Sequence, residues 1–504
     1  MRHDVIIIGC GPVGALAANL LGRAGLSVLV LEKETALYPQ PRAVHIDHEM
    51  MRLFQSAGVL ARILPDVRET DGHLHIGADL GVIRYMGTRN KPRPFGWAND
   101  YFFYQPELEA HLRAGLAELA SMELRTGAIF STLTQRGDDV EIHYVEHGAR
   151  HTATARWVIG CDGARSAVRK ALGVTLDDLD FDEPWLVVDA EVDGPVIFPP
   201  LSDVPEGADL QRLSVMMCDP KRPATIVPGR GTHRRWEFML LPGEDDATMM
   251  QPERVVELVG PWLEGVPHNI IRAATYRFHG LVAEQWQVGN VFLAGDAAHQ
   301  TPPFFGQGMC HGFRDVANLA WKMAAVVRDG ADPGILNSYQ PERDPHVRSV
   351  IAAAVAAGRY ICELDPENAA QRDAALRTKA AAGTGETAHD LIPAIASSLV
   401  LTDTQGAGLR FIQPSCGDRL LDDVTGGGWR LFCRAPLPDV AGVTCYDVER
   451  LGDGGAVARW LDELRVPAVL IRPDHYVFGT GTPDDLISAR AAVLNHNPIL
   501  ETIA

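Results

Sequence analysis

The chain opens on an apolar run, Val5-Ile-Ile-Ile8, that breaks at Gly9-Cys10-Gly11-Pro12-Val13-Gly14 and resumes with helical spacing to Ala24. This pattern predicts a buried parallel strand over 4–9, a tight turn, and a helix over 13–24. A second run, Val28-Leu-Val-Leu31, predicts the next strand and closes on Glu32. Two later runs end in the same manner. Trp157-Val-Ile-Gly160 leads into Cys161-Asp162-Gly163-Ala164-Arg165-Ser166 and a short helix at 168–172. Val291-Phe-Leu-Ala294 leads into Gly295-Asp296-Ala297-Ala298-His299, then Pro302-Pro303, Gly306-Gln307-Gly308, and a long helix over 309–328. Strands alternating with helices predict an α/β fold with a Rossmann-like domain.

Elsewhere the pattern differs. Residues 71–97 alternate short apolar and polar stretches, 101–105 predict a return to the strand pattern, and 106–120 predict a helix. Between about 182 and 275, Trp185–Val188, Leu213–Met217 and Arg235–Leu240 read as strands of a separate β-layer, with turns such as Pro228-Gly229-Arg230-Gly231. Residues 347–398 are alanine-rich and helix-prone, with a soft stretch at Gly383-Thr384-Gly385. In the last hundred residues, Trp429–Cys433, Ala468–Ile471 and Tyr476–Phe478 predict strands, with Arg472-Pro473-Asp474 as a turn.

Composition narrows the class. At 504 residues, 46% hydrophobic and 22% charged, the chain has material for two or three domains with sizeable cores. Residues 5–22 carry no charge, as a leader peptide or membrane span would, but two glycine turns, Pro12 and Asn19 interrupt them. Asp4 also stands where a leader needs positive charge, so the secretory and membrane readings are set aside. A net charge of −19 argues against nucleic acid or an anionic membrane as partner. The eight cysteines are scattered singly, with no C-x-x-C and no metal-ligand spacing. They read as free thiols of a reducing, cytoplasmic compartment, and no metal is expected.

The glycine turn after the first strand is a phosphate cradle. Its glycines let the backbone approach a pyrophosphate, which sits at the positive end of the following helix. Glu32, about 20 residues beyond the turn, stands where an acid hydrogen-bonds a ribose hydroxyl. Alone, this unit fits NAD or FAD equally well. Asp162 taken by itself also reads as an ordinary helix cap. Asp162 and Asp296, each at a strand end beside glycine, suit ribose or ribityl hydroxyls.

Together and in this order, the three segments resemble the single-component FAD-dependent aromatic hydroxylases, the group A flavoprotein monooxygenases. A narrower likeness, to the 3-(3-hydroxyphenyl)propionate hydroxylase branch, rests on Pro41-Arg42-Ala43, Ile46-Asp47 with Glu49, Gln105-Pro106, Cys218-Asp219-Pro220 and Glu237-Phe238-Met239. It extends to Asn318-Leu319-Ala320-Trp321-Lys322 and Arg472-Pro473-Asp474. The resemblance implies an FAD-binding domain in 1–180, with a substrate-domain excursion near 72–100, resumed at 279–346. It implies a substrate-binding β-layer at 181–278, a helical segment at 347–398, and a thioredoxin-like domain at 399–504 that lacks C-x-x-C.

Carried over by position, Gly9, Gly11, Pro12, Gly14, Glu32 and Lys33 hold the AMP half of FAD. Arg42 reaches the pyrophosphate or flavin, and Gln105 contacts the cofactor. Asp162 serves FAD and NAD(P)H, Gly295 and Asp296 bind the ribityl chain, and Pro303, Gly306, Gly308 and Met309 flank the isoalloxazine. One departure stands out: Cys310-His311 occupies the place where the family commonly has Asn and a small residue.

The implied reaction is NAD(P)H- and O2-dependent hydroxylation of a phenol through a flavin C4a-hydroperoxide, with NADH or NADPH as co-substrate. The substrate is a small meta-substituted phenol or phenolic acid. Because the phenolate reacts best, the site needs a proton acceptor and must exclude water. His45 and His48 are the candidates for that acceptor, while His299 reads as structural. Arg212, Arg230 and Arg235 are the candidates for a substrate carboxylate. The resemblance also allows a homodimer. Competing readings are a tailoring hydroxylase of aromatic polyketides, an FAD-dependent dehydrogenase or reductase without oxygen insertion, and a catalytically silent flavoprotein.

Overall fold

The computed structural model describes residues 2–382 and 392–495. The expected soft stretch at Gly383-Thr384-Gly385 lies outside the described residues. The apolar runs become the middle of an eight-stranded sheet. Its parallel strands lie side by side in the order Met122–Thr126, Val28–Glu32, Arg2–Ile8, Ala149–Gly160, Val291–Leu293. Val5 pairs in register with Val28 on one side and Trp157 on the other, so the Val/Ile run is covered on both edges as well as both faces. Helices Pro12–Arg23 and Gly308–Arg328 pack together beside this sheet, closely enough that a Cβ on Gly312 would lie 2.5 Å from Val13. The strand expected at 157–160 is the end of a longer one, which forms an antiparallel meander with Ala128–Arg136 and Asp139–Glu146.

A second eight-stranded sheet stands apart from the first. Across it run His268–Ala283, Leu176–Val192, His233–Met239, Ala224–Val227, Leu213–Met217, Gly72–Ile76 and Val82–Gly87. Residues 72–87, inside the stretch expected as an excursion into this layer, supply two strands, while the long strands run past the expected 181–278, beginning at Leu176 and ending at Ala283, because their pairing outlasts the apolar run. Alternation divides the side chains between two cores. Leu186, Val188, Trp236 and Phe238 face an outer core closed by helix Pro252–Leu263. Trp185, Met216, Cys218 and Met239 face the dinucleotide domain.

The strand expected at 101–105 is Asp100–Phe103, in a separate three-stranded sheet between His45–Asp47 and Val67–Glu69. The helix-prone stretch holds the end of Tyr339–Ile361 and all of Pro366–Ala381; the latter is capped by the Asp365 side chain. At the C-terminal end lies a four-stranded sheet in the order Thr444–Asp447, Arg430–Cys433, Ala468–Ile471, Val477–Gly481. Buried ion pairs fasten it to the rest. Arg472 is bidentate to Glu342 at 2.8 Å, Glu342 also accepts from Lys322 at 3.0 Å, and Arg52 and Arg430 share Asp422. No described helix is long and apolar enough to cross a membrane.

Candidate active site

The first turn has the geometry of an anion cradle. Gly9 has φ +96°, and a Cβ there would meet the Cys161 carbonyl oxygen at 2.5 Å; one on Gly14 would meet the Gly9 carbonyl at 2.0 Å. Both glycines are therefore required by packing. Gly11 differs, since its Cβ direction is open, with nothing within 4 Å. Helix Pro12–Arg23 has no side-chain cap and no acid in its first turn, so its leading N–H groups are available to an anion. Glu32 braces this turn: its carboxylate accepts from the Cys10 N–H at 2.6 Å and the Glu34 N–H at 2.8 Å. Arg113, which sequence reasoning missed, donates to the Cys10 carbonyl at 2.8 Å. Lys33 is exposed and lies 3.8 Å from Glu34.

The other two acids part company. Asp162 accepts from Ser166 Oγ at 2.5 Å and from the N–H groups of Ala167 and Val168 at 2.6 and 3.0 Å, which is the helix-capping role. Asp296 makes no hydrogen bond among the described residues and its side chain reaches open space. The surrounding protein pushes its pKa up by desolvation, tempered by His299 and Arg42. His299 is structural, as expected: it pairs with Asp315 at 2.7 Å, and Asp315 also accepts from the Gly295 N–H and Arg343. Cys310 is fully buried with its thiol 3.8 Å from the Gly306 carbonyl; burial raises its pKa, which suits a packing residue rather than a nucleophile. Beside it, His311 is buried with neither ring nitrogen hydrogen-bonded among the described residues.

The loop carrying Arg42 is gripped from both sides. Gln105 Oε1 accepts from the N–H groups of Arg42 and Ala43 at 3.0 and 2.6 Å. Gln105 thus positions the loop through its oxygen, and its amide nitrogen donates to Glu109. From the second sheet, Arg235 donates to the carbonyls of Arg42 (2.6 Å) and Pro41 (3.0 Å), and Arg272 also donates to Pro41. Asp189 is the buried counter-ion of this clamp; the Arg235 guanidinium and His233 outweigh the cost of burial and hold its pKa low. The Arg42 side chain itself is exposed beside Tyr38.

A family model described as FAD binding domain matches residues 2–354. A probable NADH-specific resorcinol 4-hydroxylase of Rhodococcus jostii (strain RHA1) is 33% identical over 528 residues, which cover 98% of this chain and 96% of that protein. The chain belongs to the FAD-dependent aromatic hydroxylases. A 3-(3-hydroxy-phenyl)propionate/3-hydroxycinnamic acid hydroxylase of Burkholderia vietnamiensis (strain G4 / LMG 22486) is 33% identical over 529 residues, covering 94% of this chain and 93% of that one. In fold, the solved structure of the flavin-dependent monooxygenase PieE in complex with FAD and substrate matches with a TM-score of 0.81 at 24% identity, covering 99% of this chain and all of that one.

The residues present fit FAD. Gly11 leaves the room a pyrophosphate needs, and the uncapped helix supplies donors to it. Asp296 presents unpaired carboxylate oxygens to hydroxyls. The turn at Pro303–Gly306 packs toward the second sheet. Here it is tied to that sheet's neighbourhood at two points. The Gly306 carbonyl lies 3.3 Å from His45 Nδ1, and the His45 ring packs edge-on against His73 at 5.7 Å. Farther along, Phe304 packs against Trp185 and Phe278.

His45 is engaged at both ring nitrogens. Its Nε2 lies 2.9 Å from Asp100 and its Nδ1 faces the Gly306 carbonyl, so acceptors confront both nitrogens. Burial opposes the charge, yet the Asp100 carboxylate, Asp47 and the carbonyl together raise its pKa. With a carboxylate before one nitrogen and a carbonyl before the other, neither ring nitrogen turns a free lone pair toward a substrate. His48 packs at a tilt against Phe95, ring centroids 4.4 Å apart, and Phe95 in turn lies under Arg52 and Arg410, toward the C-terminal domain. The expected substrate arginines are likewise engaged elsewhere. Arg212 pairs with Asp71 at 3.0 Å, Arg230 with Glu107 and Asp66, and Arg235 with Asp189 and the Arg42 loop.

Side chains that sequence reading did not select line the intervening strip. His73 and His75 lie on Gly72–Ile76, and burial leaves His73 neutral with its pKa lowered to about 4. His75 meets the Tyr360 hydroxyl at 2.7 Å. Their signal in the sequence was His73-x-His75 and Arg235-x-Glu237, polar residues at strand spacing inside apolar runs.

Proposed function

We propose that this chain catalyses NADH- and O2-dependent hydroxylation of a small phenol. The names of the two relatives, one NADH-specific and both acting on hydroxylated aromatic rings, support this reading. The observation that carries it is the pairing of an open FAD cradle, with Asp296 unpaired at its floor, and a second sheet whose facing side offers Met216, Trp185 and Met239 beside a few polar groups. Bound FAD supplies hydride acceptance and oxygen activation. The chain's part is to orient the ring, exclude water, and manage the phenolic proton.

His45 acts here as the anchor of the Gly306 turn, and Arg42 as the exposed cation beside the cofactor. The C-terminal sheet is thioredoxin-like in this reading, supported by its strand order and by flanking helices Ala456–Leu464 and Pro483–Leu494. Without a C-x-x-C it serves as a brace. Eight free cysteines accord with a cytoplasmic setting. The test is NADH oxidation by the FAD-loaded enzyme with resorcinol and with 3-(3-hydroxyphenyl)propionate as probes. Stimulation with a hydroxylated product is expected. The same slow rate with and without every phenol would contradict the reading.

A further inference from the structure

The strip of the second sheet beneath the Pro303–Gly306 turn can be followed by register. Met216 pairs with His75 and Thr225, Thr225 with Glu237, and Glu237 with Val187. One neighbouring row contains His73 and Arg235, tied through His45 and Arg42 to the cofactor loops. The other contains Trp185 paired with Met239, tied through Phe304 to the same turn. The row with Glu237 therefore lies between the two anchors of the turn that the family resemblance sets beside the flavin. Within it, the Glu237 carboxylate makes no hydrogen bond among the described residues. Its nearest cation, Arg235, is 4.0 Å away and already held by Asp189 and two backbone carbonyls.

We propose that Glu237 is the catalytic base that takes the phenolic proton from the bound substrate. The inference rests on the hydroxylase reading above. In the step, the substrate O–H bond breaks, its electron pair stays on oxygen as phenolate, and the proton forms a new O–H bond on the Glu237 carboxylate. Nothing is oxidised or reduced. The alternatives in reach are poorer. His45 has acceptors at both nitrogens, while His73 and His75 are neutral rings with depressed pKa values and hence weak bases.

The electrostatics agree. Burial raises Glu237 to about 7, with Arg235 on its own strand opposing and Asp189 on the adjacent strand reinforcing the rise. Other titratable and charged groups around this strip are His75 and His73 from Gly72–Ile76, Tyr360, Arg84 and Arg372 on the far side of His75, and the His45–Asp100 pair opposite. A base poised near the operating pH is the efficient case.

The test compares the FAD-loaded parent with Glu237→Gln and Glu237→Asp, using resorcinol as probe. Expected for Glu237→Gln are unchanged FAD content and a rate of product formation about 10²- to 10⁴-fold lower. Its pH profile should lose the limb near 7 and rise steadily toward the pH at which resorcinol ionises in solution. Glu237→Asp should recover part of the rate and restore the limb. Thermal unfolding gives a second reading: with its folded pKa raised, Glu237 favours folding below its unfolded value and loses that contribution as pH rises through 7. Glu237→Gln should therefore raise the unfolding midpoint more at pH 8 than at pH 5. A Glu237→Gln enzyme that keeps the parent's rate and pH limb would overturn the proposal. If the parent itself hydroxylates no phenol, the hydroxylase reading has failed instead.

Discussion

The two sheets recognise their ligands by opposite means. In the dinucleotide domain the backbone does the work: Gly9 and Gly14 are glycine because a Cβ would strike a carbonyl, and Gly11 because its Cβ direction is left open. In the second sheet side chains do it, on four different strands: Asp189, Arg235 and Arg272 hold the Arg42 loop, and His73, His75 and Glu237 line the strip beneath the turn. A backbone cradle concentrates its information in six consecutive residues. A sheet face scatters it over two hundred, so it exists only once the strands are in register.

This contrast predicts steep, local failure on the first side. Gly9→Ala forces a Cβ against the Cys161 carbonyl at φ +96° and should yield protein that retains no FAD after desalting. Gly11→Ala sharpens the point, since nothing in the protein lies within 4 Å of its Cβ. It should fold like the parent by circular dichroism yet bind FAD more weakly; equal affinity would mean that the cradle does not face the cofactor.

On the second side the largest effect belongs to Asp189→Asn. It leaves Arg235, Arg272 and His233 without their buried counter-ion, and such losses amount to about 3–5 kcal/mol. Chemical denaturation should show a loss of that order, together with weaker FAD binding, because the same arginines hold Pro41 and Arg42. Asp189 has its pKa lowered by these neighbours, so its stabilising contribution is complete above the unfolded value of about 3.9 and fades as pH falls below it. The mutational difference should therefore shrink on acidification.

Asp296→Ala removes charge-assisted bonds to a ligand, each contributing about 1.5–3 kcal/mol, or roughly a 10- to 150-fold weaker FAD affinity by titration. Unchanged stability of the FAD-free protein would show that the loss belongs to the cofactor. Arg212→Ala and Arg230→Ala are smaller tests. Both arginines are about a third exposed and already paired, so the KM for 3-(3-hydroxyphenyl)propionate should move less than about fivefold, the equivalent of the ~1 kcal/mol upper end for surface pairs. Least of all, Cys416→Ser, Cys433→Ser and Cys445→Ser should leave turnover intact. These thiols have raised pKa values through burial and no disulfide partner.

What could be read in the sequence follows the same division. The glycine turn, the strands ending at Glu32, Asp162 and Asp296, and the helix after Gly308 are local, and their placement needed no knowledge of distant residues. Even there, Asp162 turned out to cap its own helix, because its oxygens find three nearby donors before any ligand arrives. From the sequence, His45 and His48 stood equally as proton acceptors, for their side-chain type and their place after Arg42; His45 is the one whose surroundings lie far away in the chain. Asp100, far along the chain, changes its chemistry by facing the second nitrogen. The three arginines were visible, but not Asp71, Glu107 and Asp189, which engage them across 141, 123 and 46 positions. Glu237 stood within a recognised stretch, Glu237-Phe238-Met239, without a role, because only pairing with Thr225 and Val187 places it beneath the turn.

The central claim, that this sheet presents a phenol to an oxygen-activating flavin, is tested most directly with isotopically labelled oxygen gas. The FAD-loaded enzyme, NADH and resorcinol under ¹⁸O2 should give a product heavier by a single labelled oxygen atom, in proportion to the NADH consumed. An unlabelled product, or the same product formed without oxygen, would contradict the account and make the enzyme a dehydrogenase.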